Sequence, residues 1–244
     1  MSKEKSTWHS DRVGREVTLV RYGLLGRPVL IFPTAAGDAE ECERFLMTDA
    51  LGPLMAEERI KAYSVDSIAG MVWLQEDPSY AGGSEAQEAF LSTIVNEIVP
   101  AIRQDCGDDE IEIIAAGASI GAFNALLAIC RHPEIFSHAI CMSGTYDLSK
   151  FLKGAPTATT QRISPLHFVP EMPEGEQLEK LRARFVLLTH GEGRWEDPNQ
   201  SWMAANALGN RGVPNRVDPW DEQWDHDWPT WRKMLPQYLE ELLG

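Results

Sequence analysis

Residues 111–130, IEIIAAGASIGAFNALLAIC, constrain the fold of this chain more than any other stretch of it. They begin as a short isoleucine-rich run, typical of a buried strand, and end as an apolar run long enough for a buried helix. Between the two runs, the segment GASIG (117–121) surrounds Ser119 with small residues. A strand that turns directly into a helix predicts an α/β fold, and it raises the question of what the serine does.

Short apolar runs and longer amphipathic runs alternate along the rest of the chain. Strands are predicted at 16–22, 28–32, 60–65, 111–116, 138–142, 184–189 and 215–219. Helices are predicted at 39–51, 85–104, 120–131, 199–210 and 228–243. Uniformly apolar strands separated by helices indicate a mostly parallel central sheet with helices on both faces.

The length of 244 residues is ordinary for one α/β domain, so residues 1–244 are expected to form a single domain. One segment, residues 149–179, interrupts the alternation because it is rich in proline, glycine and threonine. It is expected to be a small loop-rich insertion between two strands, near the active site, where it could shape a pocket.

Charge and cysteine content exclude several classes of function. The net charge is −15, and lysine and arginine form no cluster of the kind that binds nucleic acid or anionic membranes. Four widely spaced cysteines predict neither a disulfide framework nor a metal site, and no cofactor is expected. The first residues lack the apolar run of a signal peptide, so we expect a cytoplasmic protein. The oligomeric state stays open.

Ser119 is the candidate nucleophile. A serine hydroxyl reacts at neutral pH only when a neighbouring base takes its proton. A sharp strand-to-helix turn presents such a serine outward and leaves the first backbone N–H groups of the helix free, and small residues at positions 117 and 121 permit the close packing that the turn needs. The alternative interpretation is a tight turn that contains a serine for structural reasons only.

The order of catalytic residues in hydrolases with such a turn is serine, then acid, then histidine. Two histidines lie late enough in the chain, His190 and His226. His226 falls between the last predicted strand and the last predicted helix, which is where the base belongs, and we take it as the general base. Its alternative role is that of a surface histidine among acids, and His190 could be a pocket or packing residue.

The acid is expected just after the strand at 184–189, where Glu192, Glu196 and Asp197 compete. Asp197 precedes a proline that would open a helix, so capping that helix would occupy its carboxylate. Glu192 is flanked by glycines and could belong to a turn. Glu196 has no such structural task, and Trp195 beside it could shield it from water, so Glu196 is favoured. Asp147, after the preceding strand, is a further alternative.

The oxyanion hole needs two backbone N–H donors. The amide of Ile120, directly after the serine, is expected to be one of them. The second is expected in the loop of IFPTAAGDAEE, from Ala35 or Ala36. That stretch is equally well interpreted as an ordinary glycine turn before a helix, in which Asp38 and Glu41 have the spacing of a capping box.

Tryptophans are concentrated in the region that carries the candidate acid and base. Trp195 or Trp224 could wall a pocket for the acyl group of a substrate. The alternative is that these residues contribute packing area, which is the commoner use of aromatic side chains.

With these motifs assembled, the chain resembles the esterase branch of the α/β-hydrolase superfamily, which includes esterase D-like enzymes, feruloyl esterases and mycolyltransferase-like proteins. The resemblance lies in GASIGAFNAL, in MSGTYDL (142–148), in HDWPTWRKMLPQYL (226–239), and in FPTAAGD and GEGRWEDPNQS. It implies a metal-free Ser/acid/His hydrolase with Ser119 and His226 in the catalytic positions. The loop after residue 191 is longer than the Gly-x-x-Asp loop of feruloyl-type members, so the resemblance does not assign the acid.

The function expected from residues and resemblance together is hydrolysis of a small-molecule carboxylic ester through an acyl-enzyme. Three alternatives stay open: transfer of the acyl group to an alcohol by the same residues, cleavage of an amide bond, and a non-catalytic binding protein that keeps the fold. The acyl and alcohol parts of the substrate cannot be read from the sequence.

Overall fold

The computed structural model of the protein describes residues 2–35, 37–67, 80–150 and 157–244. Within this part of the chain, eight strands form one sheet in the order β1-β2-β4-β3-β5-β6-β7-β8. The strands are β1 Lys3–Ser10, β2 Arg15–Tyr22, β3 Arg27–Phe32, β4 Ile60–Val65, β5 Ile113–Ala118, β6 Phe136–Met142, β7 Phe185–His190 and β8 Asn215–Pro219. Pairing is antiparallel for β1 with β2 and for β2 with β4, and it is parallel across the other six strands.

Helices lie between the parallel strands and after the last of them. They are α1 Glu41–Arg44, α2 Met47–Ala50, α3 Gly52–Ala56, α4 Tyr80–Thr93, α5 Val99–Cys106, α6 Ile120–Arg131, α7 Ala158–Ile163, α8 Pro165–Phe168, α9 Glu176–Arg182, α10 Pro198–Gly209 and α11 Trp228–Leu243. A π-helical turn, Ile94–Ile98, joins α4 to α5, and a 3₁₀ turn, Leu148–Lys150, follows β6.

The middle of the sheet, β3 to β7, is buried on both faces, as the apolar strands predict. Along β3, Leu30 and Phe32 point into one core, together with α4, α5 and α6. Val29 and Ile31, which alternate with them, point into the other core, with α1 to α3 and α11. All six residues of β5 are buried. The predicted fold class, a mostly parallel α/β sheet with helices on both faces, is confirmed.

Two parts of the structure differ from the sequence-based expectation. Strand β1 was not predicted because its side chains are polar and mostly exposed, and its place depends on backbone hydrogen bonds to β2 at the edge of the sheet. The helix predicted at 39–51 is divided into short helices, with Leu46 at φ 62° between the first two and a proline at the start of the third. Such a backbone angle and a proline both interrupt a helix.

The segment 149–179 contains, in its described part, α7, α8 and the first residues of α9. Its status as an insertion within one domain stays a prediction. No helix among the described residues is long and apolar enough to cross a membrane.

Candidate active site

Ser119 lies in the sharp turn between β5 and α6. Its backbone angles are φ 56° and ψ −121°, a conformation that a residue with a side chain rarely adopts. Such strain costs about 1–3 kcal/mol and persists only where the surroundings enforce it. Here the Ser119 N–H donates to the carbonyl of Met142 on the neighbouring strand (3.0 Å), and the helix that follows is buried almost throughout.

The two glycines around Ser119 permit contacts of backbone against backbone. A Cβ at Gly117 would lie 2.3 Å from the carbonyl group of Gly121. A Cβ at Gly121 would lie 2.4 Å from the carbonyl oxygen of Phe32 and 2.8 Å from that of Pro33. The end of β3 therefore touches the first turn of α6, and the loop after β3 begins beside the serine.

The predicted oxyanion donors lie on either side of this contact. Ile120 is the first residue of α6, where backbone N–H groups have no partner within the helix. Ala35 is exposed in the loop after β3, where the Gly37 N–H donates to the Thr34 carbonyl (3.1 Å). Ala36, the other predicted donor, lies outside the described residues. The oxyanion roles stay predictions.

The capping box predicted for Asp38 and Glu41 is wrong. The Asp38 carboxylate accepts a hydrogen bond from the N–H of Glu40 (2.9 Å), but the Glu41 side chain turns to Thr34. Thr34 offers two donors, its backbone N–H (2.8 Å) and its hydroxyl, and both bind the Glu41 carboxylate. Burial raises the pKa of Glu41 above its usual value.

Glu196 and His226 meet at the other side of the site. Glu196 Oε2 lies 3.5 Å from His226 Nδ1, and the carboxylate side chain is only 2% exposed. The second oxygen, Oε1, accepts hydrogen bonds from the Ser143 hydroxyl (2.6 Å) and the Gly191 N–H (3.2 Å). Because two donors occupy Oε1, the carboxylate is held with Oε2 facing the imidazole.

Ser143 and Trp231 extend this arrangement, and neither was predicted from the sequence to belong to the site. The Trp231 indole N–H donates to Ser143 Oγ (2.9 Å), and its ring packs edge-on against the His226 ring at 5.2 Å. Trp231 therefore contacts the imidazole directly and the acid through one hydroxyl. A signal was available, because Ser143 directly follows β6, and ligand sites in such sheets lie beyond the carboxyl ends of the strands.

The other candidate acids are used or placed differently. Asp197 stands at the position before α10, and its carboxylate accepts a hydrogen bond from the Gln200 amide (3.2 Å). Glu192 is exposed, and Asp147 binds the backbone and hydroxyl of a serine two residues later. Among the contacts of the described residues, Glu196 is the carboxylate that meets the candidate base.

Backbone hydrogen bonds join the loop of the acid to the loop of the base. The His226 N–H donates to the Arg194 carbonyl (3.0 Å), and the Gly193 N–H donates to the Trp224 carbonyl (3.0 Å). Asp225 accepts from both the backbone N–H (2.7 Å) and the guanidinium (2.6 Å) of Arg194. These contacts set the position of the imidazole relative to the carboxylate.

His190, Trp195 and Trp224 are the other residues near the site that the sequence singled out, and each lies in a different environment. His190 is buried, and its Nδ1 bonds to the Gly191 carbonyl (2.9 Å), as expected of a packing residue. Trp195 is 78% exposed with φ 64°, and Trp224 packs edge-on against Trp220 at 4.9 Å. The idea that Trp195 or Trp224 walls an acyl pocket stays a prediction.

The candidate nucleophile and base share one edge of the sheet. Ser119 follows β5 and His226 follows β8, and a chain of contacts through Ser143 and Glu196 connects the two regions. The structure describes no hydrogen bond between the Ser119 hydroxyl and the His226 ring, so their direct contact stays a prediction. Such bonds are often long without substrate. Among the described residues, no group of three or more His, Cys, Asp or Glu side chains could hold a metal ion.

Known proteins resemble this chain in sequence pattern and in fold. Residues 64–242 match the family model described as "Putative esterase". A ferulic acid esterase has a TM-score of 0.75 at 18% identity, over 99% of this chain and 98% of its own. The S-formylglutathione hydrolase from Agrobacterium tumefaciens scores 0.72 at 15% identity, over 99% and 95%. FphF, a fluorophosphonate-binding serine hydrolase from Staphylococcus aureus, scores 0.74 at 11% identity, over 100% and 98%.

No curated protein matches the chain in sequence. At 11–18% identity the three structures establish the fold, while the family match covers most of the chain. The chain therefore belongs to the "Putative esterase" family and is a carboxylesterase-type hydrolase of the α/β-hydrolase type.

Proposed function

We propose that this protein cleaves small carboxylic esters through an acyl-enzyme on Ser119. The Ser119 hydroxyl attacks the ester carbonyl carbon while His226 Nε2 takes its proton. Glu196, held against Nδ1, keeps the imidazole in the required tautomer and stabilises the imidazolium that forms. The observation that carries this proposal is the buried Glu196 carboxylate, 3.5 Å from His226 at the sheet edge where the strained Ser119 lies.

The tetrahedral intermediate places a negative charge on the former carbonyl oxygen. In the proposal, the backbone N–H groups of Ile120 and Ala35 donate to that oxygen. Removing one such donor typically costs about 10²–10³ in kcat. The contact of Gly121 with the end of β3 supports this assignment, because it brings the loop of Ala35 to the first turn of the nucleophile helix.

The second half of the reaction releases the acid. Protonated His226 donates its proton to the alkoxide oxygen as the bond to the acyl carbon breaks, and the alcohol leaves. Water then attacks the acyl carbon, with His226 as base, and the carboxylic acid departs as the Ser119 hydroxyl is restored. The same acyl-enzyme could pass its acyl group to an alcohol, so the identity of the second product separates hydrolysis from transfer.

Labelling with a fluorophosphonate probe tests the nucleophile. We expect the wild-type protein to be labelled on the peptide that contains Ser119, and the Ser119→Ala variant to lose both labelling and hydrolysis of p-nitrophenyl esters. The matched control is Ser137→Ala, which alters a buried serine on the strand beside the nucleophile strand and should leave both readouts unchanged. Equal labelling of wild type and Ser119→Ala would contradict the proposal, and so would a wild type that binds an ester without consuming it.

A further inference from the structure

Glu41 is a buried acid to which the proposed mechanism gives no role. It is 4% exposed, and its hydrogen-bond donors are the backbone N–H and hydroxyl of Thr34. Burying a carboxylate in this way costs free energy unless hydrogen bonds compensate. An apolar residue would fill the same space at a lower cost in free energy. Packing alone therefore does not explain why a carboxylate occupies this position.

The position of Thr34, which donates to Glu41, offers an explanation for the buried carboxylate. The residue before it, Pro33, has its carbonyl oxygen against Gly121 in the first turn of the nucleophile helix. At the other end of the loop, a Cβ at Gly37 would lie 2.5 Å from the Glu41 carboxyl carbon, so the carboxyl group is in direct contact with Gly37. Glu41 thus contacts both Thr34 and Gly37.

Hydrogen bonds hold Thr34 and Gly37, the described residues on either side of this loop. The Thr34 carbonyl accepts the Gly37 N–H (3.1 Å), and the Gly37 carbonyl accepts the N–H of Ser67 (2.9 Å). Because a trans peptide is planar, the Ala35 N–H points away from the Thr34 carbonyl to which it is joined. A fixed Thr34 therefore sets the direction of the Ala35 N–H.

We propose that Glu41 is a positioning residue that holds Thr34 so that the Ala35 N–H is aimed at the oxyanion. This inference rests on the proposed function, because it assigns a role in the same oxyanion hole. Glu41 does not touch the substrate; it acts through the Thr34–Ala35 peptide. Its loss should therefore lower kcat, which depends on the transition state, and leave KM nearly unchanged.

The test compares Glu41→Leu with Glu41→Gln in steady-state hydrolysis of a p-nitrophenyl ester. Leucine fills the space without an acceptor, and we expect kcat to fall about 10- to 100-fold with KM within about 2-fold. Glutamine can accept from the Thr34 N–H with its oxygen and donate to the Thr34 hydroxyl with its amide, so kcat should stay within about 3-fold of wild type. The control is Glu40→Gln, the adjacent residue, whose carboxylate pairs with Lys3 and Lys5 at the surface.

A second variant keeps the test informative if Glu41→Leu does not fold. Thr34→Val removes one of the two donors to Glu41 and preserves the shape of the side chain, and it should lower kcat about 3-fold or more. Circular dichroism establishes that each variant is folded.

The outcomes separate the two proposals. A wild type that hydrolyses no ester overturns the proposed function and this role with it. An active wild type whose folded Glu41→Leu and Thr34→Val variants keep full kcat overturns the role of Glu41 alone. A glutamine variant as impaired as the leucine variant, or a loss expressed only in KM, would also overturn it.

Discussion

The turn that carries Ser119 is held chiefly by backbone packing, whereas the loops that carry Glu196 and His226 combine close backbone packing with hydrogen bonds between distant segments. Around the serine, Gly117 and Gly121 bring main chains into direct contact, and strand and helix are buried. Around the acid and base, a Cβ at Gly191 would lie 1.9 Å from the Trp224 carbonyl oxygen, but hydrogen bonds also hold the Glu196 carboxylate, and the imidazole is 22% exposed. Both sides should therefore be sensitive to added volume, and the acid–base side should also be sensitive to lost hydrogen bonds.

The largest expected effect is on the acid–base side. Glu196→Gln preserves the shape of the side chain but removes the charge that stabilises the imidazolium. We expect kcat to fall by about 10³–10⁴, by analogy with the loss of the acid in other triads. Steady-state assays with a p-nitrophenyl ester measure the loss in kcat.

The controls for this variant are the rival acids. Asp197→Asn and Glu192→Gln should each keep kcat within about 3-fold of wild type, because neither carboxylate contacts His226 among the described residues. A loss in either of them comparable to that in Glu196→Gln would assign the acid elsewhere.

On the nucleophile side, Gly121→Ala should destabilise the fold. The new methyl group would lie 2.4 Å from the Phe32 carbonyl oxygen, so β3 and α6 would have to separate. Overpacking of this kind costs about 1–3 kcal/mol or more of unfolding free energy. Urea denaturation measures it.

The matched control is Gly52→Ala at the start of α3, where a Cβ would meet nothing within 4 Å. Its unfolding free energy should stay level or rise by up to about 1 kcal/mol, because alanine favours the helix. Equal destabilisation of the two variants would mean that the contact between Gly121 and the end of β3 does not stabilise the nucleophile turn.

A smaller effect is expected where the acid is oriented rather than removed. Ser143→Gly deletes the hydroxyl that donates to Glu196 and tolerates the φ of 47° at this position better than alanine would. We expect kcat to fall about 10-fold, because one of the two donors to Oε1 is lost. The pH–rate profile should change as well if Ser143 acts through the Glu196–His226 pair, whereas a purely structural role would leave the profile unmoved.

Trp231→Phe tests the same network from its other end, because it keeps an aromatic ring beside His226 and removes the N–H bound to Ser143. Its effect should be smaller than that of Ser143→Gly. The reverse order would show that the indole, not the hydroxyl, orients the acid.

The smallest effect is expected at the surface contact between the two loops. Asp225→Asn weakens the pair with Arg194, whose side chain is 75% exposed and whose contribution is screened by salt. Activity should change by less than about 3-fold, and the difference from wild type should shrink as salt is raised. Hydrogen bonding to Arg194 lowers the pKa of Asp225, so the ion pair is complete above the usual aspartate pKa of about 4 and is lost only as the pH falls through the lowered pKa of the folded protein.

Much of the fold could be predicted because its signals are local. The helix at 120–131 and the strand at 60–65 were predicted with the bounds that the structure has, since burial imposes an apolar pattern on neighbouring residues. Strand β1 was missed because an exposed edge strand carries no such pattern. The capping box at Asp38 failed because the spacing fits, but Thr34 offers the Glu41 carboxylate two donors.

The sequence by itself determined the α/β class and the turn around Ser119, because periodicity and the need for small residues at 117 and 121 are properties of adjacent positions. It also placed His226 in a loop at the right point of the chain order. Only the tertiary structure decided which carboxylate faces that histidine, and that Ser143, Trp231 and Glu41 surround the site. Those partners are far apart in the chain, and they meet because parallel strands bring their carboxyl ends to one edge of the sheet.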